Sequence, residues 1–193
     1  MQAPIILASS SPFRKELLER LNLPFECHSP EVDESMQSGE IAEAYVCRLA
    51  RQKAQTIANQ FPEAVIIGSD QCALLDDQIL GKPGDHNNAL KQLKAAQGKS
   101  VIFHTGLCVM QVSSGFSETD DIQFQVKFRN LNNQQLSHYL EVEQPYQCAG
   151  SFKSEGYGAA LLDHMQGDDP TALIGLPLIR LVGMLENAGI TII

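Results

Sequence analysis

The chain has 193 residues, 44% of them hydrophobic, and a formal charge of −9 from 14 Lys and Arg against 23 Asp and Glu. That length can bury a real core, as one large domain or as two small lobes. No apolar run reaches bilayer length and no basic stripe suits a nucleic acid, so neither a membrane nor a nucleic-acid partner is expected.

The opening MQAPIILASSSPFR has no basic region before its short apolar run, and the five cysteines form no CxxC pair. A cytoplasmic protein with reduced thiols and no zinc site is expected. Ile5–Ala8 reads as a short strand. After a serine-rich turn, the spacing of Phe13, Leu17, Leu18 and Leu21 predicts a helix from Pro12 to Leu21 capped by Ser11. Leu23–Cys27 reads as a strand, and the acidic loop Glu31–Glu34 follows. Residues 40–60 read as a long helix with Ile41, Tyr45, Leu49 and Ile57 on one stripe. Val65–Gly68 is a buried strand closing on Ser69 and Asp70. A hairpin at Asp76-Asp77 leads to Gly81-Lys82-Pro83, and Asp85 caps a helix to Gln97. Paired strands are expected over 100–112 and 121–129, joined by Ser113-Ser114-Gly115, then a helix over 132–143. Gly150–Gly158 reads as a glycine-rich loop, and Gly175-Leu176-Pro177 precedes a last helix to Asn187. This order of elements is α/β.

Several residues carry possible chemistry. The serine turn before Pro12 places a helix N-terminus, Ser9 and Arg14 where an anion could bind, although a capped helix with Arg14 in solvent fits the same pattern. Asp70 closes an apolar strand, where α/β enzymes place catalytic groups, and could hold a metal, activate water or cap a turn. Lys53 falls on the line Ile41-Tyr45-Leu49-Lys53-Ile57 and so faces inward unless it snorkels to solvent. Lys82 sits in a rigid turn that could aim its ammonium at a phosphate or only end a hairpin. The carboxylates Glu31, Asp33 and Glu34 suit a hard cation or a solvated loop. The five histidines form no HExxH pattern, and neither a GxSxG elbow nor a P-loop is present.

Seven segments together resemble the Maf family of nucleotide pyrophosphatases: ILASSSPFRKELLERL at 6–21, EVDES at 31–35, RLARQKA at 48–54, IIGSDQ at 66–71, GKP at 81–83, AGSFKSEGYG at 149–158 and LIGLPL at 173–178. The resemblance spans nearly the whole chain. It implies one domain over 1–193, with a mixed twisted sheet flanked by helices and two lobes around a central cleft, similar to the inosine triphosphate pyrophosphatases. It also implies hydrolysis of a nucleoside triphosphate to release pyrophosphate, dependence on Mg²⁺ or Mn²⁺, and often a homodimer. By motif match, Asp70 takes the place of the catalytic proton acceptor. Ser9, Arg14, Glu34, Lys53 and Lys82 match polar cleft positions: Ser9, Arg14, Lys53 and Lys82 for phosphate, and Glu34 with Asp70 for the metal.

Phe13, Gln71 and Glu155 resemble the branch that cleaves 7-methyl-GTP, which carries an aromatic residue, Gln and Glu there. The branch cleaving dTTP and UTP has Arg, Thr and Gln instead, and Phe13 stands where the first branch usually has Trp. The chemistry agrees, because a cationic 7-methylguanine stacks on an aromatic face and a carboxylate accepts both N1–H and N2–H. Phe13 is therefore expected to stack the base and Glu155 to read its edge. The alternatives are a pyrophosphatase for dTTP, UTP or other modified nucleotides, and a non-enzymatic regulator of cell division.

Overall fold

The computed structural model describes residues 3–193. Its elements in chain order are β1 (Ile5–Ala8), α1 (Pro12–Glu19), β2 (Glu26–Cys27), α2 (Ala42–Ala58), β3 (Val65–Leu75), β4 (Gln78–Leu80), α3 (His86–Ala96), β5 (Ser100–Gln111), β6 (Phe116–Phe128), α4 (Asn133–Glu143), β7 (Leu162–Gln166) and α5 (Leu178–Asn187). Short 3₁₀ turns occupy Ala149–Ser151, Tyr157–Leu161 and Pro170–Ile174. Among the described residues the strands form a seven-stranded sheet in the order β2-β1-β3-β5-β6-β7, with β4 paired to β3. Pairing is parallel for β1 with β2 and β3, and antiparallel for β3 with β4 and β6 with β7. The mixed α/β sheet flanked by helices is thus as expected. Among the described residues no helix is long and apolar enough to cross a membrane.

The chain divides into two compact units. One takes the chain through Asp70, then Thr105–Ile122 and Asp169–Ile193; the other takes Gln71–His104 and Gln123–Asp168. In the first unit, strand alternation sorts side chains onto two faces. Ile6, Ala8, Ile66, Cys108 and Met110 pack with Ala50, Ala54 and Ile57 of α2. Ile5, Leu7, Val65, Ile67, Leu107 and Val109 pack with Leu17 and Leu18 of α1 and Leu181, Met184 and Leu185 of α5. Helices therefore cover both faces.

Glycine lets α2 lie close on its face. A Cβ at Gly68 would stand 2.2 Å from the Ala50 carbonyl oxygen, and one at Gly106 would stand 2.3 Å from that of Val46. Helix backbone cannot yield as a side chain can, so Gly68→Ala is expected to destabilise the protein by roughly 2–3 kcal/mol, the upper part of the overpacking range. Urea denaturation checks this; an unchanged midpoint would show that α2 can shift freely.

In the second unit, Asp76 and Asp77 both adopt left-handed φ, of 47° and 64°, in the two-residue β3–β4 turn, as a hairpin of matching twist requires. Asp85 caps α3 by accepting the Asn88 N–H at 2.8 Å. Asn132 and Gln135 form a reciprocal capping box on α4. The rings of Phe103 and Phe128 each meet Phe152, at 5.9 and 5.6 Å.

Some sequence expectations are corrected. The expected strand 23–27 shrinks to Glu26–Cys27, since Pro24 has no N–H to donate to a ladder. α1 ends at Glu19, before Asn22 turns left-handed with φ of 55°. Ile41 is not on the buried stripe; it is the N-cap of α2 and 65% exposed, while Ala42, Val46, Leu49, Ala50, Lys53, Ala54 and Ile57 face inward. β6 begins at Phe116 rather than 121. The glycine-rich segment is partly wound into two 3₁₀ turns, and β7 follows it where no strand was expected.

Candidate functional site

β3 does not end at Asp70. It runs on to Leu75 after its last pairing with β1 at Ala8↔Gly68, because Ala73, Leu74 and Leu75 pair with β4. Asp70 thus sits inside a strand but beyond the carboxyl end of its parallel neighbour, where open α/β sheets expose functional groups. It shares the face of Ile66 and Gly68, so its carboxylate is turned toward α2.

Lys53 meets it from α2. Its side chain stays buried instead of snorkelling to solvent, and Nζ lies 2.6 Å from Asp70 Oδ1 and 2.6 Å from Glu34 Oε1. One ammonium is thus held between two carboxylates by short, charge-assisted hydrogen bonds. Gly68 makes this reach possible by letting α2 approach β3.

Glu34 reaches the ammonium from an exposed loop, with 56% of its side chain accessible. The loop is tied to α2 by residues that sequence reasoning missed. Tyr45 donates its hydroxyl to the Glu34 carbonyl at 3.0 Å, and Arg48 donates to the Ser35 carbonyl at 3.0 Å. Arg48 also grips Glu40 with two N–H groups, at 2.6 and 2.8 Å. That hydrogen bonding pulls the Glu40 carboxyl down to about 2. Both Arg48 and Lys53 belong to RLARQKA; spacing marked Lys53 as inward-facing, but nothing in the sequence marked Arg48 as the anchor of this loop.

Ser9, buried at the end of β1, accepts the Ser11 N–H at 3.1 Å and lies 3.5 Å from Arg14 Nη1. Ser11 caps α1 by accepting the Arg14 N–H at 3.4 Å. Arg14 is not free in solvent: its Nε donates to the Gly175 carbonyl at 2.8 Å. Burial lowers the guanidinium pKa, and the charges of Asp70 and Glu34 oppose that shift; the group stays cationic near neutrality. Ser69 donates to the same Gly175 carbonyl at 2.9 Å. Asp169, also missed, is buried and ties Gly175's segment to α5. It accepts the Thr171 N–H at 3.0 Å and the Ile179 N–H at 2.7 Å. The first unit therefore brings together Ser9, Arg14 and the Gly175 carbonyl, and Glu34, Lys53 and Asp70. Phe13 stands on the first turn of α1, half-buried.

The remaining candidates belong to the second unit. Gln71 follows Asp70 in β3, and alternation turns it to the opposite face. Lys82 is exposed in the turn after β4, and the neighbouring Gly81 carbonyl accepts from Gln92 at 3.2 Å and Gly150 N–H at 3.3 Å. Glu155 is exposed and accepts the Ser154 hydroxyl at 3.2 Å. Among the described residues no three His, Cys, Asp or Glu side chains form a ready-made ion cage.

The Maf-like protein family model matches residues 4–188. A 7-methyl-GTP pyrophosphatase of Nitrosococcus oceani is 56% identical over 96% of this chain and 93% of its own. Proteins of the same name from Methylobacillus flagellatus and Albidiferax ferrireducens are 55% and 52% identical, over 98% and 100% of this chain and 99% and 97% of theirs. Among solved structures, a HAM1 protein from Coxiella burnetii covers 66% of this chain and 73% of its own, at 13% identity and a TM-score of 0.43. With the family model spanning nearly its whole length and relatives matching end to end at half identity, the chain belongs to the Maf-like family.

Proposed function

We propose that the protein is a cytoplasmic, metal-dependent nucleoside triphosphate pyrophosphatase that converts 7-methyl-GTP to 7-methyl-GMP and pyrophosphate. The observation that carries this reading is the buried ammonium of Lys53 held between Asp70 and Glu34, with Arg14 cationic nearby. Such a group binds anionic substrate and keeps a carboxylate ready to take a proton. Asp70 accepts the proton of the water that attacks the α-phosphorus. The bond from that phosphorus to the bridging oxygen breaks, and pyrophosphate leaves. Arg14, Lys53 and Lys82 offset the charge on the departing group, and the Ser9 hydroxyl donates to a phosphate oxygen.

Glu34 and Asp70 fit a hard divalent ion by the chemistry of their donors. Mg²⁺ commonly takes one or two carboxylates and completes its shell with substrate phosphates and water, so no all-protein cage is needed. Bound there, Mg²⁺ or Mn²⁺ would neutralise charge on the triphosphate. Phe13 stacks on the cationic base, Glu155 accepts from its N1–H and N2–H, and Gln71 completes the specificity set. The names of the relatives favour this base.

The test is pyrophosphate release from 7-methyl-GTP, GTP, dTTP, UTP and CTP, with and without Mg²⁺. The expected result is Mg²⁺-dependent release that is fastest with 7-methyl-GTP. Preference for dTTP or UTP would keep the reaction and overturn the base assignment. No release from any nucleotide would favour a binding regulator.

A further inference from the structure

An exposed carboxylate discriminates between bases only if its backbone is held still. Glu155 lies in the loop after Lys153, and the residue that grips this loop is Glu143, in the last turn of α4. Glu143 Oε1 lies 2.9 Å from Lys153 Nζ, and Oε2 accepts the Tyr157 N–H at 2.5 Å. These contacts fall two residues before and two residues after Glu155. The Glu143 side chain is only 10% exposed.

Other contacts hold the same span. The Lys153 N–H donates to the Tyr139 hydroxyl at 3.2 Å. The Tyr157 ring stacks on Tyr139 at 6.2 Å and meets His138 edge-on at 6.1 Å. Gly156 passes so near that a Cβ there would stand 2.4 Å from Glu143 Oε2, so a larger residue would push that carboxylate off its partners. Burial pushes the Glu143 carboxyl up, but the hydrogen bonds from Lys153 and Tyr157 and the Lys153 charge bring it below the ordinary range. It is therefore an anion at neutral pH. The negative end of the α4 dipole lies at the same place and favours the Lys153 cation.

We propose that Glu143 is the positioning residue for base selection, clamping the loop on both sides of Glu155 so that its carboxylate meets the edge of a purine bearing adjacent N–H donors. This rests on the reading of Glu155 as the base-selecting group. Nothing about Glu143 requires it to touch the nucleotide.

The experiment measures kcat and KM for 7-methyl-GTP and UTP, with Mg²⁺, in wild type and in Glu143→Ala, Glu143→Gln, Lys153→Met and Glu155→Gln. For Glu143→Ala, KM for 7-methyl-GTP is expected to rise about tenfold, with kcat and the UTP parameters changed less than about twofold. Glu143→Gln keeps one acceptor and Lys153→Met removes one arm; both should shift the nucleotide ratio the same way, by less. Lys153→Met also carries the test if Glu143→Ala fails to fold. Equal losses on both nucleotides with KM unchanged would mean a merely structural role and overturn the clamp. A changed ratio in Glu155→Gln but not in the Glu143 and Lys153 variants would overturn the clamp and leave base reading standing. An unchanged ratio in Glu155→Gln would overturn both.

Discussion

Asp70→Asn is expected to lower kcat for pyrophosphate release by about 10²–10⁴-fold, the usual worth of a positioned general base. Asn has nearly the same shape and still offers an oxygen to Lys53 Nζ, which lies 2.6 Å from Asp70 Oδ1. The fold should therefore survive, and nucleotide binding should change much less than turnover. What is lost is the group that takes the proton from water, together with one candidate ligand for the metal. The measurement is kcat and KM for 7-methyl-GTP with saturating Mg²⁺, beside a urea denaturation curve. Wild-type turnover in a folded variant would remove Asp70 from the reaction.

Lys53→Met is expected to cause the largest loss of stability among single changes at this site, roughly 3 kcal/mol, the lower end of the range for stripping one partner from a buried ion pair. Met fills much the same volume, so a cavity contributes little. The loss arises because Asp70, itself buried, is left without the ammonium that pairs with it. Glu34 is largely exposed and can turn to water, which is why the lower end applies. Activity should fall as well, since the phosphate groups lose a cation. The double variant Lys53→Met/Asp70→Asn separates charge from packing. It should be more stable than Lys53→Met alone, because no uncompensated carboxylate remains. Urea denaturation of both single variants and the double gives the coupling; strictly additive losses would show that the ion pair is not what holds these side chains.

Much of the fold was legible because period and punctuation agree. Ile5–Ala8 and Val65–Gly68 are short apolar runs bounded by turn signals, and both are strands of the sheet. Ser11 and Asp85 precede helical patterns, and each caps its helix through a side-chain hydrogen bond; Asn132, read as the first helical residue, is also a cap. The edges were less legible. β7 reads LDHMQ and is exposed along most of its length, so it carries no hydrophobic alternation to mark it. The buried stripe of α2 is built partly of alanines, which fit close against β3 but score weakly as apolar, and the more hydrophobic Ile41 drew the stripe one position astray.

The α/β order, the family motifs and the candidate residues can all be read along the chain. So can the odd placement of Lys53, because a lysine spaced by four from Leu49 and Ile57 must lie on their face of the helix. What that lysine does depends on how the elements pack. Its ammonium meets Glu34 and Asp70, 19 and 17 positions away in the chain, because glycine at position 68 lets helix backbone approach the strand. Likewise Arg14 finds the Gly175 carbonyl 161 residues on, and Glu143 reaches both sides of Glu155. Periodicity reports which way a side chain faces within its own element. It holds no record of which distant charge lies opposite, since that depends on how closely two elements pack.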